Sequence, residues 1–238
     1  MQKRGQVTIF IIIAIAIVII GLTLFIFREQ IFGFGQESKD IKEIRVYIED
    51  CLEVTLEEAL VFIGMQGGFA EPTSYIETEI GPIVYWKHYG RDLTPSLEDI
   101  GKNISQYINY VLPLCTNGFT FFRQQGYEFT EEEVITQTSI NSKGISVKVT
   151  YPISIVKEDS SFKIKDFSVS VNVRLVDIYN SAKRVLALHG ETLDFTGIIE
   201  EEFDFSILQY SNADYIYVIT DNSSIILNSP YTFMFAAR

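Results

Sequence analysis

The chain has 238 residues, 47% of them hydrophobic, with 31 acidic against 19 basic side chains and a net charge of −12. That length suffices for one medium domain or two small ones with a proper core, and that charge repels polyanions, which argues against a nucleic-acid partner. Two cysteines and two histidines exclude a multi-bridge disulfide framework and leave too few ligands for a cysteine–histidine metal site.

The N-terminus carries the strongest signal. After Met1-Gln-Lys-Arg-Gly5, the run Val7 to Phe27 has no charged residue. As a helix its 21 residues would reach roughly 31 Å, the thickness of a bilayer's hydrocarbon core. A cleavable secretory signal has a shorter apolar core followed by a small-x-small site, and neither occurs before Arg28. Lys3 and Arg4 place the positive flank first, which predicts a single-pass protein of the cell membrane with its C-terminal domain extracellular and the lipid bilayer as a partner. The expected organisation is a cytoplasmic basic leader at 1–5, a transmembrane helix at 6–27, a joint at 28–37, a helical part of the ectodomain at 38–126 and a β-rich part at 127–238.

Ile41, Ile44, Ile48, Leu52, Leu56, Leu60 and Ile63 recur every three or four residues among acidic positions, which predicts a long amphipathic helix carrying Cys51. Gly64-Met-Gln-Gly-Gly68 stops it, since glycine supplies the left-handed cap conformation. Residues 69 to 94 read as loop with one or two short strands. Ser96, with Asp99 three residues on, starts a second helix whose apolar face is Ile100, Ile104, Tyr107, Ile108 and Val111, and Pro113 closes it. Cys115 follows. Both cysteines fall in the exterior part, where thiols are oxidised, so a structural disulfide is favoured that clamps the end of the second helix against the middle of the first. The competing readings, a metal pair or a catalytic thiol, lack partners, because neither histidine adjoins a cysteine.

From Tyr127 the apolar period changes to two. Ile145, Val147, Val149, Tyr151, Ile153 and Ile155 mark a half-buried strand, and Pro152 within it predicts an edge or a bulge. Turns at Asn141–Gly144 and Lys157–Ser160 bracket it into a three-stranded meander. In the third strand the apolar phase slips near Lys165-Asp166, which predicts a bulge there. Ile178, Ala182, Val185, Leu186 and His189 outline a third helix ended by Gly190. Tyr215 to Thr220 and Ile225 to Phe235 form a tail hairpin around Asp221-Asn-Ser-Ser224, and that hairpin and Pro152 are the expected sheet edges. The fold class is α+β: disulfide-clamped helices and a mainly antiparallel sheet.

No Gly-x-Ser-x-Gly, His-Glu-x-x-His, phosphate-binding glycine loop or Cys-x-x-Cys occurs, so the chain is expected to be no enzyme and to use no cofactor. Glu131–Glu133 and Glu200–Glu202 lack calcium-ligand spacing and read as solvated faces, leaving no metal site. The candidate ligand loop is Trp86, His88 and Tyr89, where aromatics and an ionisable group meet. Gln66-Gly67-Gly68 could offer backbone amides to a ligand, although a helix stop explains both glycines. Asn103-Ile-Ser and Asn222-Ser-Ser match the glycosylation acceptor pattern.

Lys3-Arg-Gly5 followed by Gln6-Val-Thr8 and the apolar run resembles the class III signal peptide of archaeal type IV pilins and archaellins. The resemblance implies cleavage between Gly5 and Gln6 and helices that pack with those of other pilus subunits. Many relatives carry Glu in the early helix, where this chain has Phe10. An uncleaved signal anchor fits the same residues equally. The remainder is similar to uncharacterised single-span surface proteins of small-genome archaea, through Gln66-Gly67-Gly68 and the paired cysteines. The expected function is that of a membrane-anchored surface protein with a structural, adhesion or envelope-assembly role, its partners being itself or other envelope or pilus subunits. The alternative is an extracellular binding or sensor module with a ligand site near Trp86.

Overall fold

The computed structural model describes residues 39–189 and 203–238, so the leader, the apolar run with Gly5 and Gln6, the joint, Gly190 and the acidic cluster Glu200–Glu202 lie outside the described residues. Among the described residues no helix is long and apolar enough to cross a membrane. The chain divides into two compact units, Met1–Glu43 and Ile44–Arg238. The second is an α+β fold with two mainly antiparallel sheets joined to amphipathic helices.

Helix α1 (Lys39–Met65) buries one continuous stripe: Ile44, Ile48, Leu52, Leu56 and Leu60 are at most 1% exposed. Its C-terminal end is closed by the two crossed bonds of a Schellman motif. Gly68 N–H donates to Ile63 at 2.8 Å and Gly67 N–H to Gly64 at 3.3 Å. Both glycines have positive φ, and a Cβ on Gly68 would lie 2.8 Å from Ile100 of the second helix, so the stop is also a close approach that only glycine permits.

Helix α2 (Leu97–Thr116) begins with a complete capping box in which Ser96 and Asp99 bond each other's backbone N–H. The expected stop at Pro113 is corrected: the helix runs one turn further, to a left-handed Asn117. A proline this close to the end forfeits only one intrahelical bond, and Cys115 is tied to α1. The Cys51–Cys115 disulfide is formed, with Cα atoms 5.8 Å apart. A 3₁₀ turn (Asn117–Phe119) and the one-turn helix α3 (Thr120–Arg123) follow.

Among the described residues ten strands complete the fold, and the segment expected to be mostly loop holds three of them: β1 (Tyr75–Thr78), β2 (Gly81–His88) and β3 (Arg91–Asp92). Then come β4 (Glu128–Glu131), β5 (Ile135–Asn141), β6 (Gly144–Lys157) and β7 (Ser160–Val171). Helix α4 (Leu175–Ala187) intervenes, burying Ile178, Ala182 and Val185, before β8 (Asp204–Gln209), β9 (Tyr215–Ile226) and β10 (Ser229–Ala237). One sheet is the expected meander β5–β6–β7, with β4 continuing the line of β5 along β6. The other runs β1-β2-β10-β9-β8, with β3 beside the end of β2, and its one parallel pair is β2 with β10. Helix α1 reaches both sheets, through Arg45 over Phe167 of β7 and Gly64 against Tyr231 of β10.

The edge expected at Pro152, the strand that carries the bulge beside β7 and the tail turn are corrected, while the bulge expected as the alternative at Pro152 is present. Strand β6 is central, flanked by β7 and by β4 with β5, so Pro152 marks no edge. It sits in a bulge where Tyr151 and Pro152 face Lys165 alone, and its missing N–H falls in the gap between β5 and β4. The phase slip in β7 is therefore answered by an added residue on β6; Ile164, Phe167 and Val171 are buried while Phe162 stays out. The tail turn is Leu227-Asn228, both with positive φ, whereas Asp221–Ser224 begins a wide bulge inside β9. Asp221 is fully buried there, receiving the Arg174 guanidinium, the Ser224 hydroxyl and the Ser223 N–H. Burial raises its pKa, and those bonds outweigh burial to hold it below the usual carboxylate range. Strand β9 meets β8 only over Tyr215–Thr220 and β10 meets β2 only at Ala236 and Ala237, so among the described residues no strand pairs with the outer sides of the hairpin from Ile225 to Phe235, which are a sheet edge as expected.

Replacing Cys51 and Cys115 by Ser together should lower stability by about 4 kcal/mol, the loop-closure entropy of a loop of 64 residues. Urea unfolding of the oxidised and doubly substituted proteins measures it.

Candidate functional site

The segment singled out by its aromatics is split by a bulge. Tyr85 pairs with Ala236 and Lys87 with Ala237, so β2 accommodates Trp86 as an added residue opposite β10. Trp86 turns to the interior, where it is 0% exposed, stacks on Phe235 at 4.5 Å and donates its indole N–H to Gly67 O at 2.8 Å. It meets Tyr179 of α4 edge-on. It is a core residue and offers no face to a ligand, which corrects the expected ligand loop at its first member.

The same bulge changes the phase of the strand, so that Tyr85 and His88, three residues apart, stack at 4.1 Å with rings 5° from parallel. The two-residue turn Tyr89-Gly90, both with positive φ, brings the Tyr89 ring within 4.6 Å of His88. The Arg238 guanidinium covers Tyr89, also at 4.6 Å. Arg238 then reaches back to Asp214 at 3.7 Å, and Asp214 accepts the Tyr85 hydroxyl at 2.8 Å. Tyr85, His88, Tyr89, Arg238 and Asp214 thus form a closed ring of contacts at one end of the sheet.

Its electrostatics are those of a balanced joint. The Ser211 hydroxyl foremost, then Tyr85, Arg238 and His88, hold the Asp214 carboxyl below the usual carboxylate range. Burial, then the bond to Asp214, pushes the Tyr85 phenol up to about 12, so it stays a hydrogen-bond donor and is no base at neutral pH. His88 Nδ1 and Ser74 Oγ lie 3.1 Å apart, the beginning of a serine–histidine relay. Asp214 takes its bonds from Ser211 and Tyr85. Across the hairpin, Lys87 and Lys183 line a 290 Å³ recess with Asp92, whose carboxyl is held below the usual range first by its bonds to Thr94 and to a lesser degree by the two lysines.

The remaining sequence candidates are spread through the fold. Asn103 lies in α2 and donates to Gly68 O at 2.9 Å, so its amide serves the helix stop. Asn222 is exposed in the β9 bulge, its amide on Asp204 at 2.6 Å. Glu131 accepts the buried Tyr151 phenol and Glu132 pairs with Lys163 at 2.9 Å, which disperses that acidic cluster. Among the described residues no group of three or more His, Cys, Asp or Glu is placed to hold a metal ion. Sequence reasoning missed Asp214, Ser211 and Arg238. A Ser-x-x-Asp turn is visible at Ser211, but its bond to a tyrosine 129 positions away is not.

No protein-family model, curated protein or solved structure matches the chain.

Asp214→Ala should destabilise the protein by about 2 kcal/mol at pH 7, because it leaves the buried Tyr85 hydroxyl without an acceptor. A carboxyl held below its ordinary value of 3.8 contributes stability that is complete above that value and is lost as pH falls through the folded one. Denaturation midpoints of the wild type and the variant should therefore converge below that pH.

Proposed function

We propose that this is a single-pass, membrane-anchored surface protein whose folded domain lies outside the cell and acts in attachment or envelope assembly. The observation that carries the reading is the uncharged run Val7–Phe27 behind Lys3 and Arg4. The Cys51–Cys115 disulfide supports it, since such bonds persist in oxidising exteriors and are rare in the cytosol. Pilin-like maturation between Gly5 and Gln6 is part of the proposal, with other copies or other envelope subunits as partners. The assembly surfaces are assigned to the edge strand β7 and to the outer sides of the tail hairpin, with the Pro152 segment no longer among them. The domain works through its surface, without catalysis.

A second reading, an extracellular binding module, draws support from an apolar trough on the open face of the larger sheet. It no longer includes Trp86.

Protease added to intact cells should remove the folded domain, and the intact mass of the native protein should lack residues 1–5. Protection of the domain under an envelope shown to admit the protease overturns the topology. A mass retaining residues 1–5 leaves the anchor and removes the pilin-like maturation.

A further inference from the structure

The larger sheet carries apolar side chains on both faces. One face holds Trp86, Phe233 and Phe235 in the core. On the other, Ile76, Ile83, Tyr85, Ile216 and Ala236 form a separate buried cluster flanked by Leu93, Val218 and Met234. Tyr210, just past β8, donates its hydroxyl to Glu77 O on β1 at 2.9 Å. These strands are the two ends of the order β1-β2-β10-β9-β8. In a flat sheet they would stand roughly 19 Å apart, so the sheet curls until its edges approach. The hollow has a volume of 540 Å³ and is lined by Ile83, Ile216, Val218 and Met234 below and Ile80 and Leu208 at the mouth. Ile80, Leu208 and Tyr210, at its rim, are 59%, 54% and 55% exposed.

Two observations define the occupant. The charged side chains lining the hollow are Glu77 and Glu79, in a chain of net charge −12, so a second copy is repelled and a cation is attracted. Strand β1 also presents a main-chain edge. Ser74 O accepts from Tyr85 N, and Thr78 pairs with Gly81 across the turn, so the alternate residues Tyr75 and Glu77 turn their main-chain groups away from β2. Among the described residues no strand pairs with that side of β1, although Glu77 O already accepts the Tyr210 hydroxyl, which an added strand would share or displace. Tyr75 is 44% exposed.

We propose that the β1 edge and the adjoining hollow dock an extended cationic segment of a partner protein. The segment adds as a strand along Tyr75–Thr78, sets alternate apolar side chains into the hollow and places Lys or Arg against Glu77 and Glu79. The assignment rests on the sheet alone and is independent of the membrane anchor.

The probe is the labelled peptide Lys-Val-Lys-Ile-Lys-Val-Lys, titrated against the full chain in nanodiscs of zwitterionic lipid and read by fluorescence anisotropy. Saturable binding is expected. It should weaken about tenfold or more when the valine and isoleucine amides are N-methylated or when Leu208→Asn or Ile80→Asn is introduced, which removes apolar contact without changing charge at positions exposed enough to leave the fold intact. The Glu77→Gln, Glu79→Gln pair should weaken it about threefold at low salt and less at high salt. Equal binding of a glutamate-for-lysine peptide, an affinity indifferent to Leu208→Asn, or saturable binding of dodecylammonium where the peptide shows none would each overturn the assignment.

Discussion

The indole N–H of Trp86 donates to the carbonyl of Gly67 across 2.8 Å, and that bond joins strand β2 to the end of helix α1. The carbonyl is available because the Schellman stop turns it out of the helix, and buried backbone groups of this kind must find donors. The next carbonyl, of Gly68, takes the Asn103 amide and so fixes α2 at the same point. Strand β2 in turn carries β1 and β3 on one side and β10, then β9 and β8, on the other. Helix α2 lies along β5 of the second sheet and returns to α1 through the disulfide. Two consecutive glycines thus stand where a helix end, a second helix and a sheet converge, and the Ile100 side chain leaves Gly68 no room for a Cβ.

Bulges then decide what the sheets show to solvent. The one at Trp86 sends the indole inward and rotates His88 onto Tyr85, which makes the aromatic ring of contacts and fastens Arg238 and the Ser211–Asp214 turn beside the hairpin. The one in β9 hides Asp221 under Arg174 and ties the start of α4 to the larger sheet. Curling of that sheet brings β8 round toward β1 and opens the apolar hollow between them. The larger sheet thus carries a ring of aromatic and charged contacts, an edge strand and a lined trough.

Local signals were legible wherever the deciding interaction was itself local. The stripe of α1, the Ser96–Asp99 box, the glycine stop and the β5–β6–β7 meander all follow from spacings of a few residues, and the cysteine pair from there being only two. Where the decision was tertiary, the same reasoning went astray. Trp86 reads as a loop aromatic until the hydrogen bond to Gly67 and the ring of Phe235 are known. Asp221-Asn-Ser-Ser224 has the composition of a turn, but the Arg174 guanidinium, 47 positions away, pulls its aspartate inside. Pro152 is tolerated in a central strand because a bulge and a gap between two flanking strands coincide there. Asp214 and Tyr85 have no sequence signature as a pair.

The claim that the glycine stop anchors the sheet is tested most directly by hydrogen exchange of the Trp86 indole proton, followed by NMR beside the Gly68 amide in native conditions. Both are buried and bonded to the end of α1, so both should exchange only through global unfolding, with equal free energies that shift together as denaturant is added. An indole proton that exchanges orders of magnitude faster than the Gly68 amide would mean that β2 opens independently of α1, and would contradict the account.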